Sequence, residues 1–155
     1  MTEGRTLISV DAMGGDEGPA AVVEGCTQSA RINPEIAFVL HGDAAQLEPL
    51  VDKTPELKGV CTVVHAPDVV SMGDKPSQVL RTGQETSMWS AIDSVRSGAA
   101  AVAVSCGNTG ALMAMSMIRL RKLPGVNRPA IAVLYPSANP QGFNVMLDVG
   151  ADVRA

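Results

Sequence analysis

The chain has 155 residues, of which 46% are hydrophobic and 18% are charged, and this composition excludes a disordered or fibrous protein. Its formal net charge of −4 and its aromatic content of 3% argue against a general nucleic-acid-binding surface. No apolar run reaches the roughly 18 residues that span a bilayer, and the first residues lack a signal-peptide pattern, so we expect a cytoplasmic protein. The three cysteines are far apart, which predicts reduced thiols and no structural zinc.

Short apolar segments alternate with helical patterns through most of the chain. This alternation predicts a mostly parallel sheet with right-handed crossovers, because parallel neighbours need a helix to connect them. Pro19 suits the first turn of the first helix, Asp43 is a candidate cap for the second, and Gly98 is a stop signal for the third. The predicted strands are 7–10, 36–40, 60–64 and 102–104, and the predicted helices are 19–32, 44–51, 87–97 and 111–122.

Three further segments complete the prediction. Residues 71–86 show no sustained period, which is typical of a loop over a site or of a mobile surface segment. Helix 111–122 is apolar almost all round, so we expect it between layers or at a subunit contact. Segments 129–135 and 143–149 are rich in β-formers and predict an antiparallel hairpin. The fold class is therefore a three-layer α/β sandwich, and we expect residues 1–155 to form one domain.

The first candidate site is the loop DAMGGDEGP at residues 11–19, which follows the first strand. Gly14 and Gly15 allow the backbone to approach a ligand closely, and the amides at the start of the next helix can receive an anion. The alternative is a tight turn in which Asp16 caps the helix. Asp11 and Asp16 would also repel a phosphate unless a cation or a proton intervened.

The second candidate site is the loop CGNTG at residues 106–110, which follows the fourth strand. Gly107 removes steric bulk, Asn108 or Thr109 can donate from a side chain, and the helix dipole favours a phosphate or a developing oxyanion. The alternative is that Asn108 or Thr109 only caps the helix. Cys106 is either a thiolate nucleophile or a small buried hydrophobic residue. No spacing in the sequence places His41 or His65 beside it as a base.

The third candidate site is the stretch GDKPSQVLR at residues 73–81. Lys75 is a flexible positive charge among small residues, and it can reach over an anionic ligand. The alternative is an ordinary solvated lysine. Neither glycine loop matches the Walker A pattern or the full dinucleotide-binding fingerprint, which disfavours a nucleotide-dependent oxidoreductase.

Several longer strings, taken in order, resemble one family. They are VDAMGGDEGP, MGDKPSQVLR, SMWSAIDSVRSGAA, SCGNTGALMA, LPGVNRPAIAV and LDVGADV, and together they cover essentially the whole chain. The chain thereby resembles the bacterial phosphate acyltransferases of the PlsX type. The resemblance implies a Rossmann-like α/β/α fold similar to the isocitrate and isopropylmalate dehydrogenases. Members of that family are longer, so this chain looks like an N-terminal portion.

The resemblance also implies an activity. The family transfers a fatty acyl group from acyl carrier protein to inorganic phosphate, and the acyl phosphate feeds phospholipid synthesis. It implies a homodimer without a cofactor or metal, cytoplasmic or peripheral to the inner face of the membrane. The alternative is a shortened, noncatalytic remnant of the fold or a dimerisation module.

The resemblance suggests roles for ten residues of the three loops. Lys75 would offset the charge of phosphate, and Asn108 with nearby amides would hold phosphate or the oxyanion. Asp11 and Asp16 would order their loop. The remaining residues expected to bind substrate are Gly14, Gly15, Ser77, Gly107, Thr109 and Gly110.

Overall fold

The computed structural model describes residues 4–126 and 130–147. By its internal contacts the chain divides into two units, Met1–Arg121 and Lys122–Ala155. The first unit contains the sheet and the helices that position the candidate site. The prediction that residues 1–155 form a single domain stays a prediction.

The first unit is built on a four-stranded parallel sheet, as the alternating pattern predicts. Its spatial order is β3-β2-β1-β4, so the first three strands step in one direction and the fourth returns to the other side of β1. The strands are β1 (Thr6–Asp11), β2 (Ile36–Gly42), β3 (Cys61–His65) and β4 (Val102–Ser105).

Five helices connect these strands or follow them, and four of them confirm helices predicted from the sequence. Their bounds are α1 (Gly18–Ile32), α2 (Ala44–Asp52), α3 (Pro76–Thr82), α4 (Ser87–Arg96) and α5 (Thr109–Arg119). A proline lies in the first turn of α1, and the side chain of Asp43 caps α2 by accepting from Ala45 N. Gly98 follows α4 with a φ of 79°, a left-handed conformation that favours glycine.

The side chains of the strands alternate between two helical layers, which confirms the layered α/β class. One face of the sheet packs Val10, Phe38 and Leu40 against Val23 and Cys26 of α1. On the other face the small Ser9 donates its hydroxyl to the carbonyl of Ala91 in α4 at 2.9 Å. A second cluster ties α4 to α3 and α5; its fully buried members include Val79, Met88, Ile92, Ala111 and Met115.

Two sequence predictions need correction. Segment 71–86 is not wholly irregular, since it contains α3 and a 3-10 turn at Gly83–Glu85. The seven-residue helix is too short to show a helical period, although Pro76, a residue type favoured in the first turn of a helix, was an available signal. Helix α5 ends at Arg119, because Arg121 adopts a φ of 67° that no α-helix allows.

Helix α5 is also less buried than its composition indicates. Ala111 and Met115 are fully buried, whereas Met117 and Ile118 are exposed. Burial between layers therefore holds for one face of the helix only. The predicted subunit contact stays a prediction.

The second unit is the predicted antiparallel hairpin. It pairs β5 (Ala132–Pro136) with β6 (Phe143–Leu147), in register from Ala132 opposite Leu147 to Pro136 opposite Phe143. Ser137 N donates to Gly142 O at 2.9 Å and closes the connecting loop. The predicted strand residues 129 and 148–149 lie outside the described residues.

Candidate functional site

The carboxyl ends of β1 and β4 lie side by side at the point where the strand order reverses. The two strands are parallel neighbours, and their last residues, Asp11 and Ser105, are register partners. Ligands of open α/β sheets bind in the crevice that forms at such a reversal, because the loops diverge to opposite faces there. The first and second candidate loops begin at these two residues, so the fold brings them together.

A buried hydrogen-bonded chain joins the two loops. The Ser105 hydroxyl donates to Asp11 Oδ2 at 2.6 Å, and Gly107 N donates to Ser105 Oγ at 3.0 Å. Asp11 is only 2% exposed, and its other oxygen accepts from Met13 N at 3.3 Å. Asp11 therefore orders its loop, whereas the Gly107 N–H is already engaged. Sequence reasoning missed Ser105, although its position as the last residue of a strand was a usable signal.

The glycines of both loops are needed for close backbone contact. A Cβ on Gly14 would lie 2.6 Å from Asp11 Oδ2 and 2.9 Å from Gly107 N, both closer than side chains allow. Gly15 has a φ of 98°, and a Cβ there would lie 3.1 Å from the Cβ of Cys106. The two loops can approach this closely only because residues 14 and 15 are glycines and carry no Cβ.

Several main-chain amides at this junction are left without partners. The N–H groups of residues 14–17 make no hydrogen bond within the part of the chain that the structure describes. The amides of Thr109 and Gly110 open α5, so no carbonyl of that helix lies in position to accept from them. Both groups belong to loops that lead into helix N-termini, which favour negative charge.

Asn108 uses its whole side chain for contacts within the protein. Its Oδ1 accepts from Ala111 N at 3.0 Å and caps α5, so the predicted cap is present, although capping is not the only contact that the side chain makes. Its Nδ2 lies 3.2, 3.0 and 3.1 Å from the carbonyl oxygens of Ser71, Met72 and Asp74. Asn108 is only 9% exposed, so its amide connects the second loop to the third.

The third loop is held beside the start of α5. Pro76 lies against Gly110, where an added Cβ would come within 3.2 Å of Pro76 Cγ. Lys75 precedes Pro76 as the N-cap residue of α3, and it is exposed, as is Ser77. Lys75 makes no ion pair with any residue in 4–126 or 130–147. Within these described segments, no hydrogen bond or ion pair links the exposed side chains of Asp16, Ser77 or Thr109 to the other predicted residues.

Cys106 is exposed, which corrects the expectation of a buried hydrophobic residue. Neither histidine serves it as a base. His41 is 1% exposed and hydrogen-bonds to Ser90 at 2.7 Å, while His65 accepts from Ala44 N at 3.2 Å.

His41 instead belongs to the interior of the first unit. Its second nitrogen lies 3.2 Å from Ser94 Oγ, so both ring nitrogens are engaged by α4. Burial lowers the pKa of His41 to about 4, and the negative charge of nearby Asp11 opposes that shift only in part. The imidazole is therefore neutral at physiological pH and acts as a structural hydrogen-bonding group.

An apolar groove starts at the glycine loops. Its volume is about 520 Å³, and Gly14, Gly15 and Cys106 line it together with apolar side chains of β1 and β2. The groove follows α1 from Gly18 to Ser29. At about 1.5 Å per residue this stretch of helix is roughly 16 Å long.

The described residues contain neither a membrane-spanning helix nor a metal-binding cluster. No helix within 4–126 or 130–147 is long and apolar enough to cross a membrane. In the same part of the chain, no three His, Cys, Asp or Glu side chains cluster closely enough to hold a metal ion.

Comparison with known proteins relates the whole of the chain to one family. A family profile described as "Fatty acid synthesis protein" matches residues 6–155. The chain is 71% identical over 151 residues to a phosphate acyltransferase of Ruegeria sp. (strain TM1040), covering 97% of this chain and 40% of that protein.

Two further relatives carry the same name. Identity is 69% over 152 residues to the protein of Cereibacter sphaeroides (strain ATCC 17025 / ATH 2.4.3), with 98% of this chain and 41% of the relative covered. It is 68% over 153 residues to that of Roseobacter denitrificans, with 99% and 43% covered. The chain therefore spans about two fifths of the length of these curated relatives.

Proposed function

This chain belongs to the fatty acid synthesis protein family, and we propose that it forms the phosphate-binding part of an acyltransferase that makes acyl phosphate. The observation that carries the proposal is the contact between the two glycine loops where the strand order reverses. The unpartnered amides beside that contact supply donors for a small oxyanion. The names of the relatives supply the reaction class.

The proposed reaction needs no covalent enzyme intermediate. An oxygen of hydrogen phosphate attacks the thioester carbonyl carbon of acyl carrier protein, and a tetrahedral oxyanion forms. The C–O bond is then complete, the C–S bond breaks, and the proton of the phosphate passes to the departing thiolate. The protein has to hold phosphate, orient the thioester and stabilise the oxyanion with preset donors.

Two of the candidate donors are already used in hydrogen bonds within the protein. The amide of Asn108 donates to carbonyls of the third loop, and the Gly107 N–H donates to Ser105. In this proposal the anion is therefore bound by the amides of residues 14–17 and of Thr109 and Gly110. The Thr109 hydroxyl at the start of α5 and the Ser77 hydroxyl in the first turn of α3 are additional donors.

Lys75 supplies positive charge beside the proposed anion site. The amides of residues 14–17 lie beside the exposed carboxylates of Asp16 and Glu17, which repel phosphate. Asp11 contributes less to this repulsion because it is buried and bonded to Ser105. Lys75, which makes no ion pair within the described residues and is held next to α5, offsets one of the two exposed charges.

The apolar groove supports the acyl side of the proposal. It shares Gly14, Gly15 and Cys106 with the loops and continues along α1. We place the acyl chain of the thioester in it, so that the carbonyl lies at the glycine end. The exposed Cys106 then lines the groove and takes no part in acyl transfer, since no base among the described residues is bonded to it.

The remaining features of the proposal extend to the longer protein. They are a homodimer, acyl carrier protein as the acyl donor, no cofactor, and a cytoplasmic location with peripheral membrane association. The family resemblance supports them. Nucleic acid is not among the proposed partners, because the net charge is −4.

The proposal is tested in a chimaeric enzyme in which this chain replaces the matching 151 residues of the Ruegeria relative. We expect acyl-phosphate formation from acyl carrier protein thioester and phosphate. Lys75→Ala should raise the phosphate KM about tenfold or more, as expected for a charge-assisted contact. Lys58→Ala removes an exposed lysine before β3, at the opposite edge of the sheet, and should leave that KM unchanged.

An inactive chimaera would support the alternative of a noncatalytic fold. An active chimaera whose phosphate KM is the same with and without Lys75 would remove Lys75 from the site.

A further inference from the structure

The turn between β4 and α5 is bonded to both of the other loops. Ser105, at its start, holds the first loop through Asp11. Asn108, at its end, holds the third loop through three carbonyls. The Asn108 NH₂ group has only two hydrogens, so at least one of them is shared between carbonyl oxygens. Three carbonyls of residues 71–74, which precede Lys75, therefore surround the side-chain amide of Asn108.

The third loop also closes on itself. Asp74 N donates to Ser71 O at 3.1 Å, and Ser71 N donates to Asp74 Oδ2 at 2.8 Å. This turn has a defined shape, but none of residues 71–74 is buried. Just before it, Val70 is buried and Asp68 exchanges main-chain hydrogen bonds with Glu85 and Ser87. The bonds from Asn108 are those that tie the exposed turn itself to the start of α5.

Beyond Lys75, the chain is fixed to α5 by packing. Pro76 lies against Gly110, and Val79 of α3 is buried with Ala111 and Met115. Lys75 is therefore flanked by two attachments to the same helix: Asn108 on one side and the Pro76 contact on the other. The side chain itself is free to move, whereas the Cα position is set.

We propose that Asn108 is a positioning residue, which holds the 71–74 turn so that Lys75 lies over the unpartnered amides at the start of α5. This inference rests on the proposed function, because it assigns Lys75 to the bound anion. It replaces the role of Asn108 as a direct phosphate or oxyanion donor with an indirect one. The side chain separates two tasks, since Oδ1 caps the helix and Nδ2 holds the turn.

That separation defines the variants. Asn108→Ser keeps a good N-cap oxygen and stays neutral, but it is too short to hold the turn. Asn108→Ala loses both the cap and the bonds to the turn. The difference in stability between the alanine and serine variants therefore gives the contribution of the cap alone. Asn108→Asp keeps the cap but adds a negative charge near the anion, so it is not a clean test.

The first measurement is amide hydrogen exchange on the 155-residue chain. In Asn108→Ser we expect exchange at residues 71–74 to rise about tenfold or more while the core of β1 and β2 keeps its protection. Unchanged exchange at 71–74 would overturn the positioning role and leave the proposed function untouched.

The second measurement is a double-mutant cycle on the phosphate KM of the chimaera. Asn108→Ser should raise that KM about tenfold in the presence of Lys75, and should have little further effect in the Lys75→Ala background. Additive effects would show that Asn108 acts independently of Lys75 and would overturn the inference. A Lys75→Ala variant with a normal KM would overturn both this inference and the assignment of Lys75 in the proposed function.

Discussion

Replacing Gly14 with alanine tests the junction of the two loops most locally. The new Cβ would meet Asp11 Oδ2 at 2.6 Å, Gly107 N at 2.9 Å and Ser105 Oγ at 3.0 Å. None of these three atoms lies at the end of a long flexible side chain. Relief therefore requires either a shift of the backbone or loss of the Ser105–Asp11 hydrogen bond.

The expected cost follows from these contacts. Overpacking costs about 1–3 kcal/mol, and a hydrogen bond to a charged group contributes about 1.5–3 kcal/mol. Reduced freedom of the unfolded chain returns about 0.5 kcal/mol. Breaking the Ser105–Asp11 hydrogen bond would relieve part of the steric overlap, so the two costs do not add in full. We therefore expect the free energy of unfolding to fall by about 2–4 kcal/mol.

Urea unfolding followed by circular dichroism gives this free energy, and Gly25→Ala is the matched control. Gly25 lies inside α1, and an added Cβ there meets nothing within 4 Å. Helix propensity should make that variant more stable by about 0.5–1 kcal/mol. A Gly14→Ala variant within about 0.5 kcal/mol of the parent would refute the close contact between the loops.

Three further predictions concern separate parts of the first unit. Ser105→Ala leaves a carboxylate oxygen and an amide without their partner, so urea unfolding should show a loss of about 2 kcal/mol. Ala21→Trp places a ring in the groove, and in the chimaera it should lower kcat/KM for a long-chain thioester more than for a short-chain one. The pKa of His41 is about 4 in the folded chain against an ordinary value of 6.5, which predicts that the free energy of unfolding falls by about 2 kcal/mol between pH 7 and pH 4.5.

The direction of the His41 effect follows from proton binding. Below pH 6.5 the unfolded chain binds a proton that the folded chain does not, so acid favours unfolding until the folded pKa near 4 is passed. Titration of the His41 ring by NMR checks the value directly, and a midpoint near 6.5 would contradict it. For the other two variants, unchanged stability of Ser105→Ala or equal losses for both thioesters would contradict the assigned contacts.

The parallel sheet, its helices and the hairpin were predictable because each carries a local signal. Pro19, Asp43 and Gly98 mark helix ends by their own backbone or capping chemistry, and the structure uses all three. The meeting of the loops at residues 11–17 and 106–110 also followed from the rule for parallel sheets.

The hydrogen bonds within the site were not predictable in the same way. Asn108 donates either to a ligand or to carbonyl oxygens, depending on where the third loop lies. The carbonyls that accept from it are 34 to 37 residues earlier in the sequence. Ser105 and Asp11 are 94 residues apart. Such partners are set by strand order, which short-range patterns do not encode.

The unpartnered amides of residues 14–17 and of Thr109 and Gly110 are proposed to bind a small oxyanion, which phosphate titration of the ¹⁵N-labelled chain at constant ionic strength can detect residue by residue. We expect saturable chemical-shift changes centred on these amides, weaker binding in Lys75→Ala, and no comparable change with chloride. Shifts that are nonsaturable, or centred away from both loops, would contradict it.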